Sequence, residues 1–181
     1  MADKQQVELI LKSSNAWNIW RARNPNIRPD LTHADLTKAK LGRADLRQAD
    51  LREAVLCRAG LSEARLSGAD LTRATLNESD LIAADLSRTL LVGASLVGAL
   101  LLGANLKGSN LSVADLRGAD LRGADLRGAD LSRSLFLIQT QLETAIGDAV
   151  TKLPPALQRP EHWGSAKLPR LVPNRALPPT R

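Results

Sequence analysis

The sequence predicts an all-β solenoid whose chain winds in square coils of about twenty residues. Three observations predict it. A large apolar residue recurs at every fifth position, a small residue stands two places before it, and two polar or turn-forming residues follow it. Leucine occupies this large position in every repeat from Leu31 to Leu131, and Phe136 occupies it in the next repeat. A period that keeps its register for this long indicates that each repeat packs on its neighbours.

A period of five fits neither common secondary structure. In an α-helix five residues advance about 500°, so the leucines would spread around the axis and leave no apolar stripe. In a flat strand successive leucines would alternate between the two faces. The period fits a chain that runs extended for three residues, with the small residue and the leucine facing inward, and then turns over the next two.

The second residue of each turn is often glycine, as at Gly118, and glycine permits a positive φ there. Other residues hold this position elsewhere, and some of those turns are expected to be of type I or similar: Arg43, Glu53, Arg58 and Glu78. Four such turns close one square coil, and coils stack at the strand spacing of about 4.8 Å. Leucines twenty positions apart should then lie above one another, as Leu31 and Leu51 do in the first ladder.

The repeated A(D/N)Lxx pattern, clearest in "ADLRGADLRGADLRGADL" (114–131), resembles that of the pentapeptide repeat proteins. The resemblance covers residues 31–138 and implies a right-handed quadrilateral β-helix, here of about five and a half coils. Most members of that family have no assigned biochemical activity, and a quinolone-resistance branch imitates DNA and binds type II topoisomerases. In several relatives the C-terminal cap is also the dimer contact, which implies a possible homodimer through a cap.

The ends of a β-solenoid need caps, because bare strand edges would pair with other copies. A helix over 5–22 is expected at the first end, with apolar residues toward the first coil: Val7, Ile10, Leu11, Trp17 and Trp20. At the other end Thr140 and Glu143 form a capping-box pattern before a short helix. Leu135, Leu137 and Ile138 are expected to pack beneath that helix.

The sequence therefore divides into four segments: an N-terminal helical cap (1–30), the repeat β-helix (31–138), a C-terminal capping helix (139–150) and a Pro-rich basic tail (151–181). The tail contains seven prolines and six basic residues, so regular helix or sheet is not expected there. It also holds many apolar residues for a flexible segment: Leu153, Leu157, Trp163, Leu168, Leu171, Val172 and Leu177.

Composition limits the setting in which the protein works. The formal net charge is +6, and Cys57 is the single cysteine, so no intrachain disulfide can form. The N-terminal residues show no signal peptide, and we expect a cytoplasmic protein. Aromatic residues make up only 2% of the chain, which disfavours single-stranded nucleic acid as a partner, since its bases would need rings to stack on.

The stretch 89–106, "TLLVGASLVGALLLGANL", carries no charge and has the length of a marginal membrane-spanning helix. Its leucines, however, keep the five-residue phase of the charged flanks. Its glycines are five apart rather than the four of a helix-packing motif. We therefore expect a coil of the solenoid and no membrane insertion.

The outward positions in and next to this stretch are unusual because they are apolar, whereas elsewhere they are mostly Asp, Arg, Ser or Thr. They form a candidate partner or tail-docking surface: Ile82, Leu90, Val92, Val97, Leu100 and Leu102. Ile82 and Leu102 are twenty apart and should be stacked neighbours, with Leu100 beside them. Contiguous exposed apolar surface usually marks a binding site. The alternatives are that part of the tail covers these residues, or that they are scattered exposed side chains without a role.

No catalytic constellation, cofactor site or metal site is expected. Three aspartates near the C-terminal end stand two positions before arginines, as in Asp120 and Arg122, and such pairs neutralise each other. We interpret the protein as a non-enzymatic protein-binding or structural scaffold of unknown partner. The alternative is a modulator of DNA gyrase by DNA mimicry. It is disfavoured by the basic tail and by a solenoid with fourteen basic and thirteen acidic residues.

Overall fold

The computed structural model describes residues 2–164 of the chain. Two helices come first, α1 (Lys4–Lys12) and α2 (Ser14–Arg23). The solenoid follows, then a four-residue helix α3 (Gln139–Leu142) and a 3-10 helix (Glu161–Gly164). The solenoid has no long strands, since each side of a coil contributes a single bridging residue.

Parallel bridges join residues that are twenty positions apart, from Asp30 with Asp50 to Asp115 with Leu135. Two backbone hydrogen bonds make each bridge: the Leu36 N–H donates to the Val55 carbonyl, and the Val55 N–H donates to the Ala34 carbonyl. The same pair of bonds recurs on every side of the inner coils. The chain is therefore a solenoid with a twenty-residue coil.

The core is the column of leucines and alanines inside the coils. The leucines that recur at every fifth position from Leu31 to Leu131 are each at most 1% exposed. Three positions in the inner coils carry a hydroxyl residue where the small alanine usually stands: Ser79, Thr89 and Ser109. Each is buried and donates its hydroxyl to the leucine carbonyl three residues earlier, at 2.7–2.8 Å. These bonds satisfy the buried hydroxyls, so the narrow interior accepts them.

The second residue of every turn from His33 to Gly128 has a positive φ, so the expectation of type I turns is wrong. Arg43, Glu53, Arg58 and Glu78 have φ of 56–58°, close to the 63–68° of the glycines at equivalent positions. The reason is the stacking of the corners: the Arg43 N–H donates to the Ser62 carbonyl of the next coil, and other corners repeat this bond. A corner with another geometry would lose the bond to its neighbour.

A β-branched residue in this left-handed conformation is strained, and Val113 is one, with φ of 61°. We expect Val113→Gly to raise the free energy of unfolding by about 1 kcal/mol, because glycine removes the strain. Gly103→Val, at the equivalent position on another corner, should lower it by a similar amount. A Cβ at Gly103 meets no atom within 4 Å, so this variant reports on backbone strain alone. Urea midpoints at unchanged m-value measure both changes, and shifts of the same sign would contradict the explanation.

The N-terminal segment forms two helices where one over 5–22 was expected. Ser13 ends α1 in an extended conformation and caps α2, because its hydroxyl accepts the Ala16 N–H at 3.0 Å. Ile10 and Trp17 are buried as expected, but Leu11 is 50% exposed and does not face the first coil. The break at Ser13 changes the direction of the chain and so changes which residues face the solenoid.

Side chains from α1 and α2 bind the free backbone edge of the first coil. The Trp17 indole N–H donates to the Asp45 carbonyl at 2.9 Å, and the Asn18 side-chain oxygen accepts the Asp45 N–H at 2.7 Å. The Gln6 side-chain oxygen accepts the Asp30 N–H, and the Ser14 hydroxyl donates to the Lys40 carbonyl. In the inner coils these backbone groups bond to another coil.

The last part of the solenoid departs from the expected pattern. Phe136 does not point inward as its place in the repeat predicts: it is 58% exposed and has φ of 56°. Its ring centroid lies 4.0 Å from the guanidinium carbon of Arg117. Leu137 is buried instead, whereas Leu135 and Ile138 are exposed. The positive φ at residue 136 makes it a corner residue, which moves the inward position on by one.

The expected C-terminal helix over 139–150 is only the single turn α3. The expected pair of Thr140 and Glu143 does not cap it; the Gln141 side chain accepts the Ile138 N–H at 2.9 Å. After α3 the chain rejoins the solenoid, where Ile146 bridges Asp125 and Lys152 bridges Asp130. These two bridges require extended backbone, so the helix cannot continue.

The first half of the expected tail packs on this C-terminal end. Thr151 is buried and donates its hydroxyl to the Leu126 carbonyl at 3.0 Å. Trp163 is buried as well, and Leu153 and Leu157 pack against the core. Residues 151–164 therefore close the end of the solenoid, and none of these contacts is with the coil of Leu100. The expectations for Leu168, Leu171, Val172 and Leu177 lie outside the described residues.

Candidate protein-binding surface

The bridges divide the solenoid into four sides, labelled here by the bridging residue of one coil. Side A carries Leu90, side B carries Ser95, side C carries Leu100 and side D carries Asn105. The two residues between one side and the next form a corner. Because the coil has twenty residues, sides A and C are opposite each other.

This register separates the six residues of the expected apolar surface. Leu100 lies on side C, and Ile82 and Leu102 are stacked at the corner that follows it, where the Ala83 N–H donates to the Leu102 carbonyl. Val97 lies at the corner that precedes side C. Leu90 and Val92 are half a coil away, on side A and the corner after it. The structure therefore brings together only part of the predicted set.

We define the side-C patch as Ile82, Leu100 and Leu102. Leu100 is 42% exposed and Leu102 is 36% exposed, while Ile82 is half-buried. Leu90 is exposed to nearly the same extent, 45%, but Val92 at the corner after it is stacked between Thr72 and Ser112, whereas Leu102 is stacked on Ile82. The side-C patch is thus a stack of apolar residues from two coils, whereas Leu90 and Val92 lie in one coil.

Small residues leave the patch open. Ala83 and Gly103 are stacked at the second position of the same corner, and the space around the missing Gly103 side chain is empty to 4 Å. The preceding corner carries Gly98 at the corresponding position in the same coil as Leu100. No long side chain therefore stands over Leu102 from its own corner, and a partner can approach closely.

Charged residues border the patch along the axis of the solenoid. Toward the N-terminal end the two corners carry ion pairs between stacked residues, Arg43 with Glu63 at 3.0 Å and Arg58 with Glu78 at 2.8 Å. Toward the C-terminal end Asp120 accepts hydrogen bonds from Arg122, which hold the pKa of that carboxyl below its ordinary value. The apolar surface is therefore confined to the middle coils.

Two carboxylates at the edge of the patch have no ion pair among the described residues. Asp80 pairs with Leu100 in the bridge ladder, and its carboxylate accepts the Ile82 N–H at 3.1 Å. Asp85, on side D, accepts the Asn105 side-chain N–H at 3.0 Å. Sequence reasoning missed them, although the signal is readable: Asp80 and Asp85 are followed two positions later by Ile82 and Ser87 rather than by arginine.

Other kinds of site find little support between residues 2 and 164. No three His, Cys, Asp or Glu side chains in that range lie close enough to hold a metal ion. None of the helices described has the length and apolar character needed to cross a membrane. The uncharged stretch 89–106 forms the four sides of a coil, with Leu91, Leu96, Leu101 and Leu106 all buried. A shallow cavity of about 470 Å³ does occur at the corner after side A, between Arg52, Arg73 and Val92.

Comparisons with known proteins agree with the repeat pattern. The family model described as pentapeptide repeats, in 8 copies, matches residues 30–59, 59–96 and 94–133. No curated protein sequence matches the chain. Among solved structures, the pentapeptide repeat protein Rfr23 from the cyanobacterium Cyanothece 51142 is 37% identical, over 52% of this chain and 63% of that one, with a TM-score of 0.48. This chain thus covers less than two thirds of Rfr23.

Two further solved structures cover more of the chain. HetL, a pentapeptide repeat protein involved in heterocyst differentiation regulation in Nostoc sp. strain PCC 7120, is 34% identical over 72% of this chain and 76% of that one, with a TM-score of 0.38. QnrB1, a plasmid-mediated fluoroquinolone resistance protein, is 19% identical over 71% of this chain and 78% of that one, with a TM-score of 0.43.

Proposed function

Because the chain belongs to the pentapeptide repeat family, whose members form right-handed quadrilateral β-helices, we propose that it is a non-enzymatic scaffold that binds a partner protein through one side of its solenoid. The observation that carries this proposal is the contiguous side-C patch of Ile82, Leu100 and Leu102. Exposed apolar patches bordered by polar residues are typical of protein-binding sites.

The solenoid suits such a role because its surface is pre-organised. The backbone of each inner coil is bonded to the coils on both sides, so the patch residues have fixed positions before a partner arrives. A rigid surface loses little conformational entropy on binding, and more of the interaction energy remains as affinity. Burying the exposed parts of two leucines would contribute on the order of 25 cal/mol per Å² of apolar area.

The finer architecture belongs to the same proposal. We propose about five and a half coils over 31–138, an N-terminal cap at 1–30, and a C-terminal cap that begins with 139–150 and continues into the expected tail segment. The edge bonds made by Gln6, Trp17 and Asn18 support the first cap. The burial of Thr151 and Trp163 supports the second. A cytoplasmic location fits the single cysteine.

A homodimer through the C-terminal cap is a further proposal about assembly. Leu135, Phe136 and Ile138 are 45–58% exposed at that end of the solenoid. A second copy could cover them, and light scattering of Phe136→Asp beside the unmodified protein would test this. This surface is separate from the side-C patch, so the two proposals stand independently.

DNA mimicry of the kind that would modulate gyrase needs a surface with unneutralised negative charge. Here the aspartates of three successive sides near the C-terminal end are paired with arginines: Asp115 with Arg117, Asp120 with Arg122, and Asp125 with Arg127. Because these aspartates are neutralised by arginines, the pairs do not favour DNA mimicry. We expect no effect of the purified protein on gyrase supercoiling.

Site-specific photo-crosslinking tests the scaffold function. A photoreactive residue in place of Leu102 should give discrete adducts in extract of the source cells, and one in place of Val92 should not. The captured protein, once purified, should bind the full chain at least about tenfold more weakly after Leu100→Arg, since a charge would enter an apolar interface. Leu90→Arg is the matched control, because Leu90 holds the same outward position on the opposite side. A role for the patch would be contradicted if both variants weakened binding equally, or if neither variant weakened it.

A further inference from the structure

We infer that the side-C patch accepts an extended segment in which basic and apolar residues alternate, and that residues 165–181 of this chain are such a segment and occupy the patch in cis. This inference rests on the proposed function, since it concerns the same surface. It names the chemistry of the occupant: apolar side chains for Ile82, Leu100 and Leu102, and cations for the two carboxylates beside them.

Charge complementarity is the first argument. Asp80 and Asp85 lie on either side of Ile82, and neither has an ion pair among residues 2–164. Residues 165–181 contain four basic residues and no acidic one, as the sequence "SAKLPRLVPNRALPPTR" shows. Much of the rest of the solenoid offers such a segment less, because its carboxylates already have arginine partners.

The spacing within the segment is the second argument. Leu168 and Leu171 are three residues apart, and so are Lys167 and Arg170. Pro169 and Pro173 favour the polyproline II conformation, which has three residues per turn. In that conformation the leucines would lie along one edge and the basic residues along the next. If the segment runs along the solenoid axis, its apolar edge can lie on the stacked row of Ile82 and Leu102. Its basic edge then lies on a neighbouring row, which holds either Asp80 or Asp85.

The third argument is the position of residue 164, from which the segment starts. Trp163 bonds to the Ala145 carbonyl, so the chain reaches residue 164 at the C-terminal end of the solenoid. The Gln141 side chain bonds to the Ala119 carbonyl there, and Leu100 lies in the coil before Asp120. The patch is therefore about 10 Å from this end along the axis. A seventeen-residue segment extends to about 50 Å, and tethering gives it an effective concentration of the order of mM.

Disulfide trapping in the full-length chain tests the inference. In a Cys57→Ser background, Val172→Cys is combined with either Ala83→Cys or Arg73→Cys. Ala83 and Arg73 are second corner residues at opposite corners of the solenoid, ten positions apart, with φ of 55° and 58°. In a glutathione redox buffer, the pair with residue 83 should form its intramolecular disulfide with an effective concentration at least about tenfold higher than the pair with residue 73.

Two further variants make the result specific. Leu100→Arg should remove the preference for residue 83, whereas Leu90→Arg should leave it unchanged. The preference should also fall at high salt, because the cations of the segment would be screened from Asp80 and Asp85. Equal effective concentrations at the two corners would overturn the inference. Disulfide-linked dimers in place of the intramolecular product would also overturn it, and would identify a second copy as the occupant.

The outcome separates this inference from the proposed function. If trapping shows no preference but the crosslinked partner still depends on Leu100, the patch is a binding site that the chain's own segment does not occupy. If trapping shows the preference and no partner depends on Leu100, the patch is an internal docking site and the scaffold function fails. If both hold, a partner competes with residues 165–181 for the same surface.

Discussion

Trp163→Ala is expected to lower the free energy of unfolding by about 3–5 kcal/mol, although the repeat pattern predicts a tail outside the solenoid at this residue. The indole is 5% exposed and donates its N–H to the Ala145 carbonyl at 3.0 Å. Truncation would leave a cavity at the C-terminal end of the core and remove one hydrogen bond. Guanidinium unfolding followed by far-UV circular dichroism measures the loss.

Gly147 provides a double-mutant cycle for the same contact. A Cβ built on Gly147 would lie within 3 Å of three carbon atoms of the Trp163 ring, so the ring would have to move. Gly147→Ala should therefore cost about 1–3 kcal/mol in the unmodified protein. In the Trp163→Ala background it should cost little, because the space is then free. Additive costs would show that Trp163 does not pack on Gly147 in solution.

The loss of stability in Trp163→Ala should be confined to the C-terminal end of the solenoid. Repeat solenoids unfold in units of neighbouring coils, so the loss of Trp163 should first release the last coil. The Leu126 N–H donates to the Ile146 carbonyl, and the Ile146 N–H donates to the Ala124 carbonyl. Hydrogen exchange at these two amides should accelerate strongly, while exchange at Leu36 and Val55 near the other end should stay unchanged. Uniform acceleration would contradict this local role.

Trp17→Ala is the second change with a large expected effect, again about 3–5 kcal/mol. Trp17 is fully buried between α2 and the first coil, and its indole N–H satisfies the Asp45 carbonyl. The variant leaves that carbonyl without its partner and uncovers part of a free strand edge. We therefore expect the protein to self-associate as well as to lose stability, and light scattering after size exclusion measures this.

Two control variants separate the contributions to the effect of Trp17→Ala. Trp17→Phe keeps most of the volume and loses the hydrogen bond, so it should cost less than Trp17→Ala and should show how much the bond contributes. Trp20→Ala removes a half-buried ring whose centroid is 5.1 Å from that of Trp17, and should cost less. If Trp20→Ala is as harmful as Trp17→Ala, the aromatic pair rather than the covered edge stabilises this end.

Much of the fold can be predicted from the sequence because a solenoid repeats one local interaction. The period of five identifies the inward residues, and the period of twenty predicts that Ile82 and Leu102 are stacked. The same arithmetic separates Leu90 from Leu100 by half a coil, so the split of the six apolar residues between opposite sides could have been predicted. The two carboxylates beside Ile82 were also readable, as aspartates without an arginine two positions later.

The turns and the ends depended on contacts that the repeat does not encode. Arg43 and Glu53 adopt positive φ because each corner bonds to the corner of the next coil, and this outweighs their preference for other turns. Phe136 turns outward where the pattern placed it inside. Repeat periodicity describes bonds between equivalent residues, and at these positions a neighbouring corner or the solenoid end supplies a different environment.

The repeat pattern alone was sufficient for the solenoid, its inward leucines and the stacking of its sides, since these follow from one spacing applied many times. Only the tertiary structure showed that Trp163 closes the C-terminal end and that Ser13 divides the N-terminal helix. Trp17 meets Asp45 and Trp163 meets Ala145 across 28 and 18 residues without any repeat to predict the pairing. Such contacts depend on which polar groups the last coils leave unpaired, and that is known only once the coils are stacked.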